Sequence, residues 1–318
     1  MFPILVKKSL GENVTLFEVE APRVARRHRP GQFVMLRPTD RSERIPLTIA
    51  DVDRAKGTIT LVVQAVGKTT VQMSEAFEEG DAFANVAGPL GNPTHIGIPG
   101  RPDEFRGTVA CVAGGIGAAP MLPIARAFRD AGHDVVTILG ARRGDLLVFE
   151  DRLAAASGEL VVCTDDGSRG RKGLVTAALT DAIEARRALG GDVHLAIAIG
   201  PPVMMKFCAK ATRPYNVPTL VSLNTIMVDG TGMCGGCRVM VDGAAKYVCV
   251  DGPEFDGHGV DFDGMMRRQA MYKPEEAASL ERYRENDPSC QMQASAAAAV
   301  SEAAPVEAAA GRDARRGA

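Results

Sequence analysis

The strongest constraint on the fold of this chain is a set of ligand-type side chains spaced Asp229-x4-Cys234-x2-Cys237-x11-Cys249. Plant-type [2Fe-2S] centres use the spacing C-x4-C-x2-C followed by a more distant cysteine, and here aspartate holds the first position. The glycines between these positions expose backbone N–H groups, which suits sulfides that accept hydrogen bonds. The segment therefore predicts an iron–sulfur module that needs its metal to fold, because it can bury little apolar surface alone.

Two other interpretations of the same cysteines remain open from the sequence. One is a structural zinc site formed by Cys234, Cys237 and Cys249 with His258, because zinc sites often contain C-x2-C pairs. The other is a set of unconnected thiols. The match to the full plant-type spacing favours iron over both.

The identity of the fourth ligand is a separate question. Cys290 lies in the predicted tail and Cys208 in the predicted α/β unit, so neither is well placed to close a compact site. Asp229 holds the position that the spacing requires. A carboxylate is a harder iron ligand than a thiolate and is expected to shift the potential and the spectrum of the cluster.

Composition restricts the class of protein. With 318 residues, two or three domains are expected. A formal net charge of -2 does not favour binding to nucleic acid or to an acidic membrane surface. Seven cysteines, an odd number, indicate metal ligation in a reducing compartment. No stretch approaches the ~20 apolar residues of a membrane helix, and the first residues lack the charge order of a secretory signal, so we expect a cytoplasmic protein.

The pattern of apolar residues changes twice along the chain and predicts a β-barrel plus an α/β unit. Short alternating segments in residues 1–100 predict an antiparallel barrel, with strands at 14–19, 32–37, 47–52, 58–66 and 82–87 and a helix at 71–78. Residues 101–225 alternate apolar strands (108–113, 135–139, 160–163, 195–199) with helices (149–156, 175–189), which predicts a parallel sheet. Residues 226–287 form the cluster module, and residues 288–318, rich in Ala, Glu, Gly and Ser, are predicted to be a disordered tail.

Two segments at the rim of the predicted barrel are candidates for binding a flavin dinucleotide. The first, with Arg44, Pro46, Leu47 and Thr48, places a cation for a pyrophosphate beside a hydroxyl and a strand backbone. The second joins a strand to a helix and offers amides and hydroxyls to a phosphate, through Gly67, Lys68, Thr69 and Thr70. A solvated Arg/Thr pair and a helix start capped by threonine are the respective alternatives.

Two further turns are candidates for binding a nicotinamide dinucleotide. One follows the first strand of the α/β unit and opens its first helix, with Gly114, Gly115, Gly117 and Ala118. The other ends a later strand at the same edge, with Gly200, Pro201 and Pro202. Asp166, after the third strand, faces the same edge and either contacts the ligand or forms a polar turn. The first turn departs from G-x-G-x-x-G, so a tight βα turn without a ligand is the alternative.

The motifs occur together in an order that resembles one family. The stretches 44–48, 112–120, 233–237 and 249–255 resemble the small flavin-bearing subunit of NADH-dependent reduced ferredoxin:NADP oxidoreductase, also called a sulfide dehydrogenase subunit. The electron-transfer subunit of dihydroorotate dehydrogenase is a more distant likeness, with four cysteine ligands. The resemblance covers residues 1–275 and implies a ferredoxin reductase-like fold that binds FAD, NAD(H) and a [2Fe-2S] cluster.

The resemblance also implies a role for each motif. Asp229, Cys234, Cys237 and Cys249 become the cluster ligands, and the segments 44–48 and 67–70 become the FAD site. Gly115, Gly117 and residues 200–202 fall on the nicotinamide motif. The family implies a heterodimer whose larger subunit carries a second FAD and [4Fe-4S] clusters and handles NADP(H) and ferredoxin.

These observations predict an oxidoreductase subunit of the electron-bifurcating ferredoxin:NADP(H) transhydrogenase type. Hydride transfer between nicotinamide and flavin is followed by one-electron passage through the cluster to a partner, which requires no acid–base residue. Delivery of electrons to dihydroorotate dehydrogenase or to a sulfur reductase is the alternative, and a non-enzymatic module stabilised by zinc is a rival of another class. Arg142 and Arg143 leave NADP open as the coenzyme of the α/β unit.

Overall fold

A seven-stranded antiparallel sheet forms the N-terminal part of the computed structural model, which describes residues 1–285. Its elements are β1 (Phe2–Gly11), β2 (Val14–Glu20), α1 (Pro22–Arg27), β3 (Phe33–Arg37), β4 (Ile45–Asp53), β5 (Thr58–Gln64), α2 (Lys68–Ala76), β6 (Ala82–Phe83) and β7 (Asn85–Leu90). The strand order is β6-β1-β2-β5-β4-β3-β7. Because the two outer strands β6 and β7 are almost contiguous in the chain, the sheet curls into the nearly closed barrel that the sequence predicts.

The barrel interior explains which strands the sequence reveals. In β2 and β5 the inward positions are filled by fully buried side chains such as Phe17, Ile59 and Leu61, so the apolar pattern is clear. The strand β1 is not among the predicted strands, because Ile4 is its only buried residue and gives no alternation. The helix predicted at 71–78 begins three residues earlier and ends at Ala76.

A second seven-stranded sheet follows, and its strands are mostly parallel. Its elements are β8 (Thr108–Gly114), α3 (Ala118–Asp130), β9 (Asp134–Ala141), α4 (Glu150–Ala155), β10 (Glu159–Thr164), β11 (Arg171–Lys172), α5 (Val175–Ala188), β12 (Val193–Ile199), α6 (Pro202–Thr212) and β13 (Thr219–Ser222). The predicted parallel sheet is confirmed. Buried clusters lie on both of its faces, one around α3 and the other around α5 and α6, so β8 and β12 are apolar except at Thr108 and His194.

The cysteine-rich segment packs onto the end of this sheet. It contains β14 (Arg238–Val241), β15 (Ala244–Tyr247), α7 (Val248–Asp251), β16 (Glu254–Asp256) and α8 (Phe262–Gln269). The strands β14 and β15 form a hairpin, whereas β16 pairs antiparallel with β13 and becomes the last strand of the α/β sheet. The pairing of β13 with β16 therefore connects the cluster segment directly to the parallel sheet.

Residues Met1–Tyr272 form one compact unit, and the helix α9 (Lys273–Glu285) belongs to a second unit. The four-part division at 100, 225 and 287 stays a prediction, and the predicted tail at 288–318 lies outside the described residues. None of the helices within residues 1–285 has the length and the apolar character needed to cross a membrane.

Candidate functional site

The predicted flavin strand has an open backbone edge. Residues Ile45–Thr48 of β4 pair with β3 on one side, where Leu47 faces Val34 and Thr48 faces Phe33. On the other side, pairing with β5 begins only at Ile49. The side chains of residues 45–48 are half-buried and Arg44 is exposed just before the strand. Backbone N–H and C=O groups along this edge are therefore positioned to bind a planar polar ring beside a cation.

The second flavin segment lies against the first. Thr69 at the start of α2 is buried and its hydroxyl donates to Glu43 at 3.3 Å, next to Arg44. The hydroxyl of Thr70 accepts hydrogen bonds from the amides of Gly67 and Val66, so it caps the helix, as the alternative interpretation predicts. The first-turn amides of a helix have no partner inside the helix, so the start of α2 still offers N–H groups to a phosphate.

The two glycine turns of the α/β sheet pack backbone to backbone. A 3-10 turn (Gly115–Gly117) connects β8 to α3, and a Cβ at Gly117 would overlap the carbonyl group of Ile199. A Cβ at Gly200 would lie 3.1 Å from the Cα of Gly114. Both turns lie at the carboxyl edge of the parallel strands, where such sheets bind nucleotides. The predicted residues of the two turns are thus brought together, with Pro201 and Pro202 at the start of α6.

A cavity of about 470 Å³ lies at the same edge, beyond the ends of β9 and β10. Its lining residues are Arg143, Gly144, Asp145, Glu150, Asp166, Ser168 and Arg169. Asp166 accepts hydrogen bonds from the hydroxyl and the amide of Ser168, and these lower the pKa of its carboxyl group. The polar turn that the sequence offers as an alternative is therefore formed, and it is part of the cavity wall.

Each arginine of this cavity is paired with a carboxylate. Arg143 donates two hydrogen bonds to Asp145, at 3.0 and 2.8 Å, and a third to Glu12 of the barrel at 3.1 Å. Arg169 forms an ion pair with Glu150 at 2.8 Å. The guanidinium of Arg143, one of the two that the sequence offers for a 2'-phosphate, is thus already neutralised by two carboxylates.

The four predicted cluster ligands lie in two pairs. The Sγ of Cys234 is 3.3 Å from a carboxylate oxygen of Asp229, and the Sγ atoms of Cys237 and Cys249 are also 3.3 Å apart. All three thiols are free. In a [2Fe-2S] cluster each of two irons takes two protein ligands, so a paired arrangement of three thiolates and one carboxylate fits this group.

Hydrogen bonds prepare Asp229 to be an anion. Desolvation raises its pKa, but amides of Thr231 and Met233, the thiol of Cys234 and the hydroxyl of Thr231 outweigh this effect, and the pKa falls to about 2. His258, the predicted zinc ligand, has its Nε2 3.1 Å from the hydroxyl of Thr212 instead. Within residues 1–285, no three His, Cys, Asp or Glu side chains converge on a position for a single metal ion.

The cluster loop touches the barrel beside the flavin strand. At Gly230, next to Asp229, an added Cβ would lie 2.5 Å from the Cγ of Met35 and 3.1 Å from Leu90. Met35 is buried on β3 and faces Pro46 of the flavin strand in the register. Met35 and Phe33 also belong to the same hydrophobic cluster as Cys237 and Cys249. The predicted flavin and iron–sulfur sites therefore flank a single strand.

Sequence reasoning assigned no role to two residues near these sites. Glu254 on β16 is largely enclosed and forms no ion pair with the other described residues. Its carboxylate accepts a 2.6 Å hydrogen bond from the hydroxyl of Thr94. Arg268 on α8 donates to the carbonyl of Gly236 in the cluster loop at 3.3 Å. Neither residue leaves a clear signal in a single sequence, because Glu254 begins a three-residue strand that also contains Asp256, and Arg268 contacts a residue 32 positions away.

Comparison with known proteins agrees with this geometry. Residues 224–261 match the iron–sulfur cluster binding domain of dihydroorotate dehydrogenase B, and residues 111–210 match an oxidoreductase NAD-binding domain. The chain is 46% identical over 280 residues to the Thermotoga maritima homologue of the dihydroorotate dehydrogenase B (NAD(+)) electron transfer subunit, covering 88% of this chain and 94% of that one. It is 49% identical over 282 residues to a Clostridium beijerinckii protein described as uncharacterized, in an adh 3' region, with 88% and 94% covered.

A solved structure agrees over nearly the whole described region. The structure of NADH-dependent reduced ferredoxin-NADP oxidoreductase, described in terms of flavin-based electron bifurcation, superposes with a TM-score of 0.81 at 44% identity. The match covers 89% of this chain and 98% of that chain. The resemblance stated from the motifs and the ferredoxin reductase-like fold are confirmed. The chain therefore belongs to the family that contains the dihydroorotate dehydrogenase B-type electron transfer subunits and this ferredoxin-NADP oxidoreductase chain.

Proposed function

We propose that this chain is an electron-transfer subunit that exchanges a hydride between NAD(H) and FAD and passes electrons singly through a [2Fe-2S] cluster to a partner subunit. The observation that carries the proposal is the contact of Gly230 in the cluster loop with Met35, whose strand neighbour Pro46 lies in the flavin segment. The separation of two redox groups controls electron transfer between them, so this packing supports direct exchange. Family membership supports the same reaction type.

The residues of the barrel would bind and orient FAD. When bound, a flavin supplies the conversion of a hydride into single electrons. Arg44 and the amides at the start of α2 would neutralise the pyrophosphate, and the open edge of Ile45–Thr48 would hold the ring. The chain then contributes geometry, and no side chain needs to move a proton from the nicotinamide.

The carboxyl edge of the parallel sheet would bind the nicotinamide coenzyme. Gly117 and Gly200 let the two glycine turns pack closely together, and the open space at Gly115 leaves room for a pyrophosphate close to the backbone. In the neighbouring cavity, the carboxylates Asp145, Glu150 and Asp166 outnumber the guanidinium groups of Arg143 and Arg169. Such a surface repels a 2'-phosphate and can accept a hydrogen bond from a ribose hydroxyl. We therefore assign NAD(H) to this site.

The cluster loop would hold the iron–sulfur centre, with Asp229 and Cys234 on one iron and Cys237 and Cys249 on the other. The amide of Gly236 lies 3.4 Å from the Sγ of Cys234, and the amide of Cys249 lies 3.5 Å from the Sγ of Cys237. Hydrogen bonds of this kind stabilise thiolate ligands. The carboxylate of Asp229, ionised down to about pH 2, keeps one ligand of the site anionic at neutral pH.

The electron acceptor would be a larger subunit. We infer a heterodimer with a flavin- and [4Fe-4S]-bearing partner that handles NADP(H) and ferredoxin, as in an electron-bifurcating transhydrogenase. Three apolar side chains are exposed beside the cluster loop, Val228, Met233 and Val250, and an apolar patch next to a redox centre suits a docked protein. A dihydroorotate dehydrogenase partner is the second candidate, supported by the homologues of that name. A cytoplasmic location stays a prediction.

Anaerobic titration with coenzyme tests the proposed function. The protein, copurified with its native partner, should contain flavin, iron and sulfide, and NADH should bleach its visible absorbance. We expect kcat/KM to be at least about tenfold higher for NADH than for NADPH, because unfavourable charge contacts cost several kcal/mol and each 1.4 kcal/mol is tenfold. A colourless protein with bound zinc would support the non-enzymatic module instead, and equal use of both coenzymes would contradict the assignment of the cavity.

Substitution of Asp229 tests the fourth ligand. We expect Asp229→Ala to lose most of its iron and sulfide while retaining flavin, because one iron is left with a single protein ligand. Asp229→Cys should retain the cluster with a changed visible and EPR spectrum. Cys290→Ala, outside the described residues, is the matched control and should keep the wild-type iron content. An unchanged cluster spectrum in Asp229→Ala would contradict the ligand assignment.

A further inference from the structure

The C-terminal end of α8 lies against the cluster loop. Phe262 and Met265 of this helix are buried in the same hydrophobic cluster as Cys237. The N-terminal end of α8 is capped by Asp261, whose side chain accepts from the amide of Gly264. At the other end, Gln269 donates to the carbonyl of Asn224, just before the loop. Both ends of α8 are thus held, and the side chains of its last turn have fixed positions.

The guanidinium group of Arg268, in this last turn, lies next to the segment between Cys234 and Cys237. Its Nη2 donates to the carbonyl oxygen of Gly236 at 3.3 Å. Gly236 is the residue directly before Cys237, and its own amide lies 3.4 Å from the Sγ of Cys234. The guanidinium therefore contacts a backbone residue that precedes one proposed thiolate ligand, Cys237, and whose amide contacts the sulfur of another, Cys234.

Within residues 1–285, no carboxylate neutralises the charge of Arg268. In the part of the chain that the structure describes, no carboxylate lies within 4.0 Å of its guanidinium. Its Nε is buried and has no hydrogen-bond partner among the same residues. Arg143, Arg169 and Arg186, by contrast, each form ion pairs. A partly buried cation without a counter-ion is costly unless it faces an anionic group.

We propose that Arg268 is a positioning residue that raises the reduction potential of the [2Fe-2S] cluster. The inference rests on the proposed function, because it assigns a partner charge to the cluster of that site. Reduction adds one electron and one negative charge, with no bond made or broken and no proton moved. A fixed cation close to the thiolates stabilises the more negative, reduced form.

A redox titration of the purified complex tests this role. The variants are Arg268→Gln, which removes the charge and keeps a donor for Gly236, and Arg268→Lys, which keeps the charge. Arg267→Gln removes an exposed charge from the same helix and is the control. The midpoint potential of the cluster is followed by EPR, together with iron and sulfide content.

We expect Arg268→Gln to lower the ratio of reduced to oxidised cluster about tenfold at a given potential, which is about 59 mV for one electron. Arg268→Lys should stay closer to the wild type, and Arg267→Gln should match it. If Arg268→Gln has the wild-type midpoint, or if Lys and Gln lower it equally, the proposal is overturned and Arg268 only supports the loop.

A fourth variant covers the case in which Arg268→Gln does not retain its cluster. Arg268→His places a titratable charge at the same position, with a pKa near 6.5 for an unperturbed imidazole. Relative to the wild type at the same pH, its midpoint should be close at pH 5.5 and lower at pH 8. A constant difference over this range would overturn the proposal. A wild-type protein without iron and sulfide is a distinct outcome that contradicts the proposed function itself.

Discussion

Glu254→Gln is expected to raise the free energy of unfolding by about 2 to 3 kcal/mol at pH 8 and by less than about 1 kcal/mol at pH 5. Burial raises the pKa of Glu254 to about 7, and the hydrogen bond from Thr94 offsets only part of this effect. The nearby thiol of Cys111 stays neutral, since burial raises its own pKa to about 12, and so it adds no charge that could offset the carboxylate. No ion pair with Glu254 forms among the residues that the structure describes, so its ionised carboxylate is enclosed without a counter-ion there.

The sign of the pH dependence follows from the raised pKa of Glu254. The carboxyl group of an unfolded chain ionises near pH 4.5, whereas in the folded protein it holds its proton up to about pH 7. The folded state binds more protons between these values, so its stability falls as the pH rises from 4.5 to 7. Glutamine cannot ionise and keeps an acceptor for the hydroxyl of Thr94. Because part of the Glu254 side chain is exposed, we expect less than the full effect of the shift.

Thermal and chemical denaturation of the cofactor-loaded protein at pH 5, 6, 7 and 8 measures this effect. Glu20→Gln is the matched control, because Glu20 is an exposed carboxylate at the end of a barrel strand, and its stability curve should follow that of the wild type. If the unfolding free energies of Glu254→Gln and the wild type changed with pH in the same way, the charge of the carboxylate would have to be compensated in the folded protein, and the prediction would be wrong.

Gly117→Ala is expected to destabilise the protein by about 3 kcal/mol and to weaken NADH binding more than tenfold. The new Cβ would overlap the carbonyl oxygen of Ile199 and lie 2.7 Å from its carbon. Both neighbours are backbone atoms in the centre of the sheet, so neither can rotate away. Relief requires that α3 or the end of β12 shift, and either movement separates the two glycine turns that would bind the pyrophosphate.

Gly115→Ala is the control for this prediction. Gly115 has a φ of +54°, but an added Cβ meets nothing within 4 Å. Alanine there carries only the cost of a left-handed conformation, about 1 kcal/mol. Urea denaturation and calorimetric titration with NADH separate the two variants. Similar unfolding free energies for Gly117→Ala and Gly115→Ala would mean that the turn accommodates the clash.

The parts of the molecule that the sequence predicts are those in which local pattern and burial coincide. In each of β8 and β12 all positions but one are buried, so a nearly continuous apolar run marks a buried parallel strand. The spacing of Asp229 and the three cysteines predicts a set of ligands that the fold arranges in two pairs. The turn at Gly117 follows from its position between a strand and a helix.

The parts that the sequence does not predict depend on contacts between distant segments. Arg143 forms an ion pair with Glu12, which is 131 residues away in the chain. Because of that pair, Arg143 is a neutralised part of the cavity wall and no longer a free ligand for a phosphate. The strand β16 is three residues long, and its place in the sheet depends on pairing with β13. Glu254 is enclosed because Thr94 and Gly31 approach it from the barrel side. Alternation and spacing contain no information on such approaches.

The iron–sulfur loop is anchored at both ends in the α/β sheet, by β13 before it and by β16 after it. The chain leaves the α/β sheet after β13 and returns to the neighbouring position, where the amide of Leu223 donates to the carbonyl of Pro253 at 2.9 Å. Asn92 of the barrel fastens the returning segment through the carbonyls of Val250 and Asp251. Loss of the cluster would thus loosen a loop that is held at both ends. The surrounding sheet and barrel would stay folded, so the empty loop could bind a new cluster.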